Sequence, residues 1–225
     1  MSRVARSAGN YLTAALVQAV TLVLSYPVAY FVAFKAGRYR GALMLLIVCS
    51  LLASYLARVF AWRTILGANG LINTALQTIG LTHQPLEILL FNRFAVLLTW
   101  VNVYLPLTIL LLASAMGDTH KSVLEAARDL GASPFRAIVR VLVPVTMPTA
   151  VAAFCYVLVL SSGDYATPTL MGGKSGIMAG QVITDQFITI ADQPQGAALA
   201  LVMLVASATV YLVLSQLNRL RFKWV

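Results

Sequence analysis

The chain has 225 residues, of which 60% are hydrophobic and only 10% are charged, and its mean hydropathy is +0.85. A soluble domain of this size does not carry so much apolar surface, so the composition excludes that class and predicts an integral membrane protein. A net charge of +9 would suggest a nucleic-acid partner in a soluble protein. Here the basic residues lie in short loops between apolar runs, which indicates orientation in a membrane and no nucleic-acid partner.

Five apolar runs are long enough to cross a hydrocarbon layer of roughly 30 Å as helices. We therefore predict an all-α integral membrane protein with one transmembrane domain over residues 1–225 and spans at about residues 11–34, 42–62, 94–116, 141–162 and 196–217. The start, MSRVARSAGN, lacks the continuous apolar run of a signal peptide. Cys49 and Cys155 lie inside apolar runs, where we expect small packing side chains and no disulfide.

The first predicted span carries one narrow polar stripe. Gln18, Thr21 and Ser25 follow each other at i, i+3 and i+7 on a helix that is otherwise apolar. Such a stripe in a bilayer should face protein or a water-filled path, so Gln18 and Ser25 are candidates for the wall of a translocation path. Hydrogen bonding between helices, without contact to a transported solute, is the alternative.

The third predicted span has a comparable face. Thr99, Asn102 and Pro106 lie at helical spacing, and we predict that this face packs towards the path. Between the second and third spans, residues 63–93 are mostly too polar to cross a bilayer and predict a short amphipathic surface helix. The two histidines, His83 and His120, fall on opposite sides of the predicted membrane, so we expect no shared metal site.

Residues 122–148 form a charged island between two apolar spans. Ser122 and Glu125 have the S-x-x-E spacing of a capping box, which predicts a helix beginning there. That helix passes through Ala126 and Ala127, and Gly131 can adopt the left-handed conformation that ends it.

A second helix should follow at once. Ser133 is a good N-cap, and Pro134 stands at the first helical position, where its missing N–H is not needed. We predict that this helix runs into the fourth span, which contains Pro144. Placing the island in the cytoplasm puts most of the 16 Lys and Arg residues inside. The C-terminus is then cytoplasmic and the N-terminus is outside, although Arg3 and Arg6 run against that rule.

The island resembles the EAA loop of permease subunits of binding-protein-dependent ATP-binding cassette (ABC) importers. The family pattern is E-A-A-x3-G-x9-I-x-L-P, and here Glu125, Ala126, Ala127, Gly131 and Pro144 stand at its spacing, with valines at 141 and 143. The resemblance implies a type I importer permease fold in which residues 117–140 form a cytoplasmic loop. In that family the loop is a coupling helix that docks into the ATP-hydrolysing subunit, so Ser133 and Pro134 belong to the coupling site as well.

Two further segments resemble the permeases of spermidine/putrescine-type importers. They are the first two spans with the basic loop between them, and SSGDYATPTLMGGKSGIMAGQVITDQF after the fourth span. The resemblance implies a bacterial inner-membrane location among lipid. The implied partners are two copies of an ATP-binding subunit, a second permease, and a periplasmic or lipid-anchored solute-binding protein. We expect no cofactor on this chain, because ATP and Mg²⁺ would be held by the ATPase partner.

A polyamine is a flexible polycation, so its path should offer carboxylates and aromatic faces. Asp164 and Tyr165 lie where the fourth span meets the outer loop and are the best candidates, although a helix-ending turn with an interfacial tyrosine is an alternative. An ABC permease for another small solute, an ATP-independent secondary transporter and a purely structural membrane subunit are the other hypotheses. No nucleophile–base set or nucleotide-binding loop is recognisable, so we expect the chain to be a transport subunit without catalytic residues.

Overall fold

The computed structural model describes residues 2–82, 84–86, 89–118, 121–173 and 176–221. Every regular element in these ranges is helical, which confirms the all-α prediction. The α-helices are α1 (Ser2–Tyr30), α2 (Arg40–Leu52), α3 (Tyr55–Leu66), α4 (Leu71–Thr78), α5 (Arg93–Asp118), α6 (Lys121–Asp129), α7 (Pro134–Ala137), α8 (Val143–Gly163), α9 (Ala166–Met171), α10 (Ala179–Ile188) and α11 (Gln193–Arg221). Wider π-helical turns, Phe31–Lys35 and Ile138–Leu142, extend α1 and join α7 to α8.

Four helical stretches in the described residues are long and apolar enough to cross a membrane: Thr13–Lys35, Arg93–Gly117, Pro134–Gly163 and Gln193–Gln216. They contain nearly all of the first, third, fourth and fifth predicted spans. A fifth crossing is reached only if the broken pair Gly37–Leu52 and Tyr55–Thr78 counts as one span.

The second predicted span differs from a continuous helix over residues 42–62. The helix ends at Leu52 and restarts at Tyr55, with Ser54 in an extended backbone conformation at φ −53° and ψ 129°. The local sequence, CSLLASYLAR, contains neither proline nor glycine, so local propensity favours continuity. Local propensity alone therefore does not predict the break.

The single predicted domain packs as two compact units, each built from three chain segments. The first unit combines Met1–Gln18, Ala53–Val103 and Leu158–Val205. The second unit combines Ala19–Leu52, Tyr104–Val157 and Ala206–Val225.

The core of the second unit joins transmembrane helices to the charged island. Small and aliphatic side chains of α1 and α5 are buried against residues of α6, α7 and α8. The buried cluster is Ala29, Val32, Ala33, Ile109, Leu112, Ala113, Met116, Leu124, Ala137, Leu142 and Ala150. Leu124 and Ala137 lie in the island itself, so the island is packed into the core and does not hang from the membrane helices as a loose loop.

Helix α11 presents apolar side chains outward along most of its length. Only 6% of its most apolar stretch is buried. Leu201, Val202 and Leu204 are each more than 60% exposed. Side chains of this kind are stable on a surface only where lipid or another apolar helix surrounds them, which agrees with a membrane-spanning position.

Candidate functional site

The first helix of the island, α6, ends in the left-handed turn that the sequence predicts. Gly131 has φ +85°. The Gly131 N–H donates to the carbonyl of Arg128 at 2.8 Å, and the Ala132 N–H donates to the carbonyl of Ala127 at 3.1 Å. This pair of bonds is a Schellman motif, which satisfies carbonyls that the end of the helix would leave without partners. The helix therefore ends in a defined turn.

The second helix begins two residues later, as predicted. Ser133 is its N-cap, with an extended backbone, and the Ser133 hydroxyl accepts a hydrogen bond from the Arg136 N–H at 3.4 Å. Pro134 occupies the first turn. Helix α7, the π-helical turn and α8 then form one uninterrupted stretch from Pro134 to Gly163. Pro144 lies at the start of α8, immediately after the π-helical turn.

We call residues 121–137, comprising α6, the turn at Gly131 and α7, the elbow. One side of the elbow is anchored: Leu124 is 7% exposed and Ala137 is 1% exposed, both within the core of the second unit. Truncating a buried leucine costs about 2–5 kcal/mol, so Leu124 alone holds the elbow firmly. The elbow is thus joined to α8 both by the continuous helix and by this shared core.

The other side of the elbow is free in the isolated chain. Glu125 and Ala126 are exposed and Ala127 is half-buried, while the side chain of Ser122 is outside the described part of the structure. Leu130 is 90% exposed and Phe135 is 74% exposed, and we call these two residues the tip of the elbow. Two exposed large apolar side chains on an element that also exposes Glu125 and Arg128 have the character of a protein-binding surface.

The structure places Asp164 in the interior of the first unit. Asp164 is 9% exposed, and its carboxylate accepts four hydrogen bonds. The Tyr55 hydroxyl and the Trp100 indole N–H, the latter at 2.5 Å, donate to Oδ2. The backbone N–H groups of Ala166 and Thr167 donate to Oδ1 at 2.9 and 3.2 Å.

A carboxylate offers about four lone-pair positions, and these donors occupy all of them. In this conformation Asp164 is a hydrogen-bonding centre of the protein interior, as in the helix-ending turn that the sequence left open as an alternative. The adjacent Tyr165 is 54% exposed and remains accessible to a solute or to lipid. A solute-binding role of either residue stays a prediction.

The predicted polar face of α5 is divided between two environments. Thr99 is fully buried, and its hydroxyl donates to the carbonyl of Ala95 at 2.9 Å. Asn102, one helical turn further on, is exposed. The two residues therefore differ in burial within the single chain, and the packing of this face towards a path stays a prediction.

The polar stripe of α1 is buried, as the prediction that it faces protein or a path requires. Gln18 is 2% exposed, and Ser25 is fully buried. Among the described residues, neither Gln18 Nε2 nor the Ser25 hydroxyl has a hydrogen-bond partner. Unpaired polar atoms in an apolar interior are costly, so these positions are suited to a water molecule or a polar ligand.

Sequence reasoning missed the aromatic partners of the site. Tyr55 and Trp100 were counted as apolar span residues, yet both donate to Asp164. In the second unit, the Tyr26 and Thr146 hydroxyls are 2.6 Å apart and join α1 to α8. The available signal was the tendency of buried tyrosine and tryptophan to find polar partners. The described residues contain no group of three His, Cys, Asp or Glu side chains placed to hold a metal ion, while His83 and His120 lie outside them.

Comparison with known proteins identifies the family of this chain. Residues 22–223 match the family described as binding-protein-dependent transport system inner membrane component. The spermidine/putrescine transport system permease protein PotB of Escherichia coli (strain K12) is 33% identical over 204 residues, covering 91% of this chain and 74% of that protein. PotB of Haemophilus influenzae (strain ATCC 51907 / DSM 11121 / KW20 / Rd) is 33% identical over 201 residues, covering 89% and 70% of the respective chains.

Among solved structures, a bacterial alginate ABC transporter in complex with an alginate pentasaccharide-bound periplasmic protein has a chain with the same fold. The TM-score is 0.73 at 18% identity, and the match covers 95% of this chain and 77% of that chain. The family match over residues 22–223 and the 33% identity to PotB support the same conclusion. The chain belongs to the family of binding-protein-dependent inner-membrane transport permeases, as a multi-pass transport subunit.

Proposed function

We propose that this chain is one of the two permease subunits of an ABC importer for polyamines, with the elbow as its contact to an ATP-hydrolysing subunit. The coupling role is supported by one observation: the elbow has one side buried in the core and another side exposed. Leu124 and Ala137 are buried in the core, whereas Leu130 and Phe135 are exposed at the tip. A partner that grips the tip can therefore move α8.

The charges of the elbow suit the same role. Glu125, Arg128 and Arg136 are exposed, so the elbow carries charges of both signs as well as its apolar tip. Apolar anchors supply binding energy, while surrounding charges select the partner and its register. ATP and Mg²⁺ would be bound by that partner, and the elbow would lie in the cytoplasm together with the C-terminus.

The solute class rests on the relatives. The PotB proteins of Escherichia coli and Haemophilus influenzae are permeases of spermidine/putrescine transport systems. Within the chain, Asp164 and Tyr165 are the predicted acidic and aromatic pair, but Asp164 is occupied by four internal donors. We therefore assign selection of the solute mainly to a separate binding protein, and to the permease a path with few strong contacts.

The test is uptake of radiolabelled spermidine and putrescine by cells in which this chain is the only copy of the permease. We expect the double variant Leu130→Ser, Phe135→Ser to insert into the membrane normally but to lose at least about tenfold in uptake. The variant should also release the ATPase subunit on purification, because each anchor residue of this kind contributes on the order of 2 kcal/mol to the binding free energy. Ile188→Ser is the matched control, since Ile188 is 77% exposed but lies on α10, an element of the first unit.

Two results would count against the proposal separately. Retention of the ATPase subunit by the double variant would remove the coupling role of the tip. Uptake that is unaffected by excess unlabelled polyamine, and that another small solute competes away, would leave the importer intact and replace the solute.

A further inference from the structure

A hydrogen bond between two side chains joins α1 to α8 within the second unit. The hydroxyls of Tyr26 and Thr146 are 2.6 Å apart, although the two residues are 120 positions apart in the chain. Thr146 is fully buried, and its hydroxyl donates to the carbonyl of Leu142, one turn earlier, at 2.8 Å. A hydroxyl has a single proton to donate, so the Thr146 oxygen accepts from the Tyr26 hydroxyl.

On α8 this bond lies where the backbone has lost helical hydrogen bonds. Pro144 and Pro148 stand on either side of Thr146, and neither supplies a backbone N–H. The π-helical turn Ile138–Leu142 comes immediately before them. Helices bend at prolines and at π-helical turns, so Thr146 lies in the part of α8 that bends most easily.

The other partner has a similar position on α1. Pro27 follows Tyr26 directly, and the π-helical turn Phe31–Lys35 extends the helix one turn later. The bond therefore connects the two helices at a point where each of them is able to bend.

Apolar packing alone fixes the register of α1 and α8 less sharply than this bond does. The shared core contains Ala29 and Val32 at the end of α1, and Leu142 and Ala150 on the side of α8. Such small and aliphatic side chains hold helices together in a bilayer, whereas a hydrogen bond requires one donor to face one acceptor. Tyr26 is half-buried and packs against the same core, so its ring and its hydroxyl have separable roles.

We propose that Tyr26 is a positioning residue that makes α1 follow α8 when the elbow is displaced. The elbow continues into α8 without a break, and the bond to Thr146 passes the displacement on to α1 next to Ser25. Ser25 is fully buried and belongs to the polar stripe that is a candidate for the path. The inference rests on the proposed coupling role of the elbow, but the attachment of α1 to α8 is measured independently of that role.

The attachment is measured as a distance between the two helices. Spin labels at Phe31→Cys and Tyr156→Cys, both exposed positions of the second unit, report this distance by pulsed electron paramagnetic resonance. The sample is the full chain in lipid nanodiscs, with Cys49 and Cys155 replaced so that only the introduced thiols are labelled.

Tyr26→Phe should broaden or shift the distance distribution, because phenylalanine keeps the packing but has no hydroxyl. Tyr30→Phe is the matched control: it makes the same chemical change one turn further along α1, at a tyrosine that packs against the same core and against Phe34. Where Tyr26→Phe does not insert, Thr146→Val gives the same test from α8, and Thr146→Ser restores the hydroxyl as its control. An unchanged distribution in the variant that lacks the bond overturns the proposal.

Uptake per ATP hydrolysed shows whether the attachment serves transport. In proteoliposomes holding the whole complex, Tyr26→Phe should lower this ratio roughly three- to fivefold, the factor that one neutral hydrogen bond between helices supplies. A residue that only stabilises the fold would change the amount of inserted protein and leave the ratio as it is. A wild-type ratio in a variant whose distances have changed also overturns the proposal. Failure of the proposed function is seen separately, in the Leu130→Ser, Phe135→Ser variant, which keeps Tyr26.

Discussion

Gly131 is the position at which the elbow can be tested most directly. Its φ of +85° lies in the left-handed region, and a Cβ built there would meet no other atom within 4 Å. A substitution therefore causes no collision, and its whole effect comes from the backbone. For an L-residue the left-handed conformation costs about 1–2 kcal/mol, and a β-branched residue is less tolerated still.

That cost can be converted into an expected loss of function. A side chain also restricts the competing conformations of the loop, which offsets about 0.4–1 kcal/mol of the strain. The remainder for Gly131→Val is at most about 1.6 kcal/mol and on the order of 1 kcal/mol, which lowers the population of the bent elbow roughly fivefold, since about 1.4 kcal/mol corresponds to a factor of ten. Gly131→Asn should stay close to wild type, because asparagine tolerates this conformation.

The assay is the ratio of solute taken up to ATP hydrolysed by the complex in proteoliposomes. We expect Gly131→Val to keep ATP hydrolysis and to lose most uptake, because the ATPase subunit no longer moves α8 through a defined elbow. Gly80→Val is the matched control: Gly80 has φ +73° and an equally open surrounding, but lies after α4 in the first unit. Equal coupling ratios in wild type and Gly131→Val would refute the role of the elbow.

Two further predictions concern the same segment. Ser133→Ala removes the N-cap of α7 and should lower the free energy of unfolding by about 0.5–2 kcal/mol, measured as a lower midpoint of thermal unfolding. Ser133→Asp is the control, because aspartate restores a capping side chain. An unchanged midpoint in Ser133→Ala would show that this cap contributes nothing to stability. Ala126→Cys, in a chain whose exposed Cys49 and buried Cys155 have been replaced, should react with a membrane-impermeant maleimide only from the cytoplasmic side, because Ala126 is exposed on the elbow; reaction from the outer side would contradict the proposed orientation.

The elbow could be predicted residue by residue because its determinants are local. Gly131 adopts the left-handed turn, Ser133 caps the next helix and Pro134 occupies its first turn, all as the sequence indicates. Caps and turns of this kind depend on residues three or four positions apart, so they can be predicted without knowledge of distant contacts. The burial of Leu124 and Ala137 was not predicted, since it depends on which residues of α1 and α5 come to lie beside them.

The candidate path shows the opposite case. Gln18, Thr99 and Asn102 were chosen by helical spacing, which identifies a face of a helix but not what covers it. The structure buries Gln18 and Thr99 and leaves Asn102 exposed. Asp164 was chosen as an acidic residue where the fourth span meets the outer loop, but spacing could not reveal donors from residues 64 and 109 positions away.

The amino-acid sequence by itself determined the membrane class, the helical spans and the capped elbow, because apolar length and short-range hydrogen bonding are properties of neighbouring residues. Only the tertiary structure decided that the second span breaks at Ser54 and that Asp164 is enclosed by Tyr55, Trp100 and the start of α9. Local propensity favours a continuous helix over Ala53 and Ser54, and the enclosure of Asp164 depends on which residues, far apart in the chain, come to lie together.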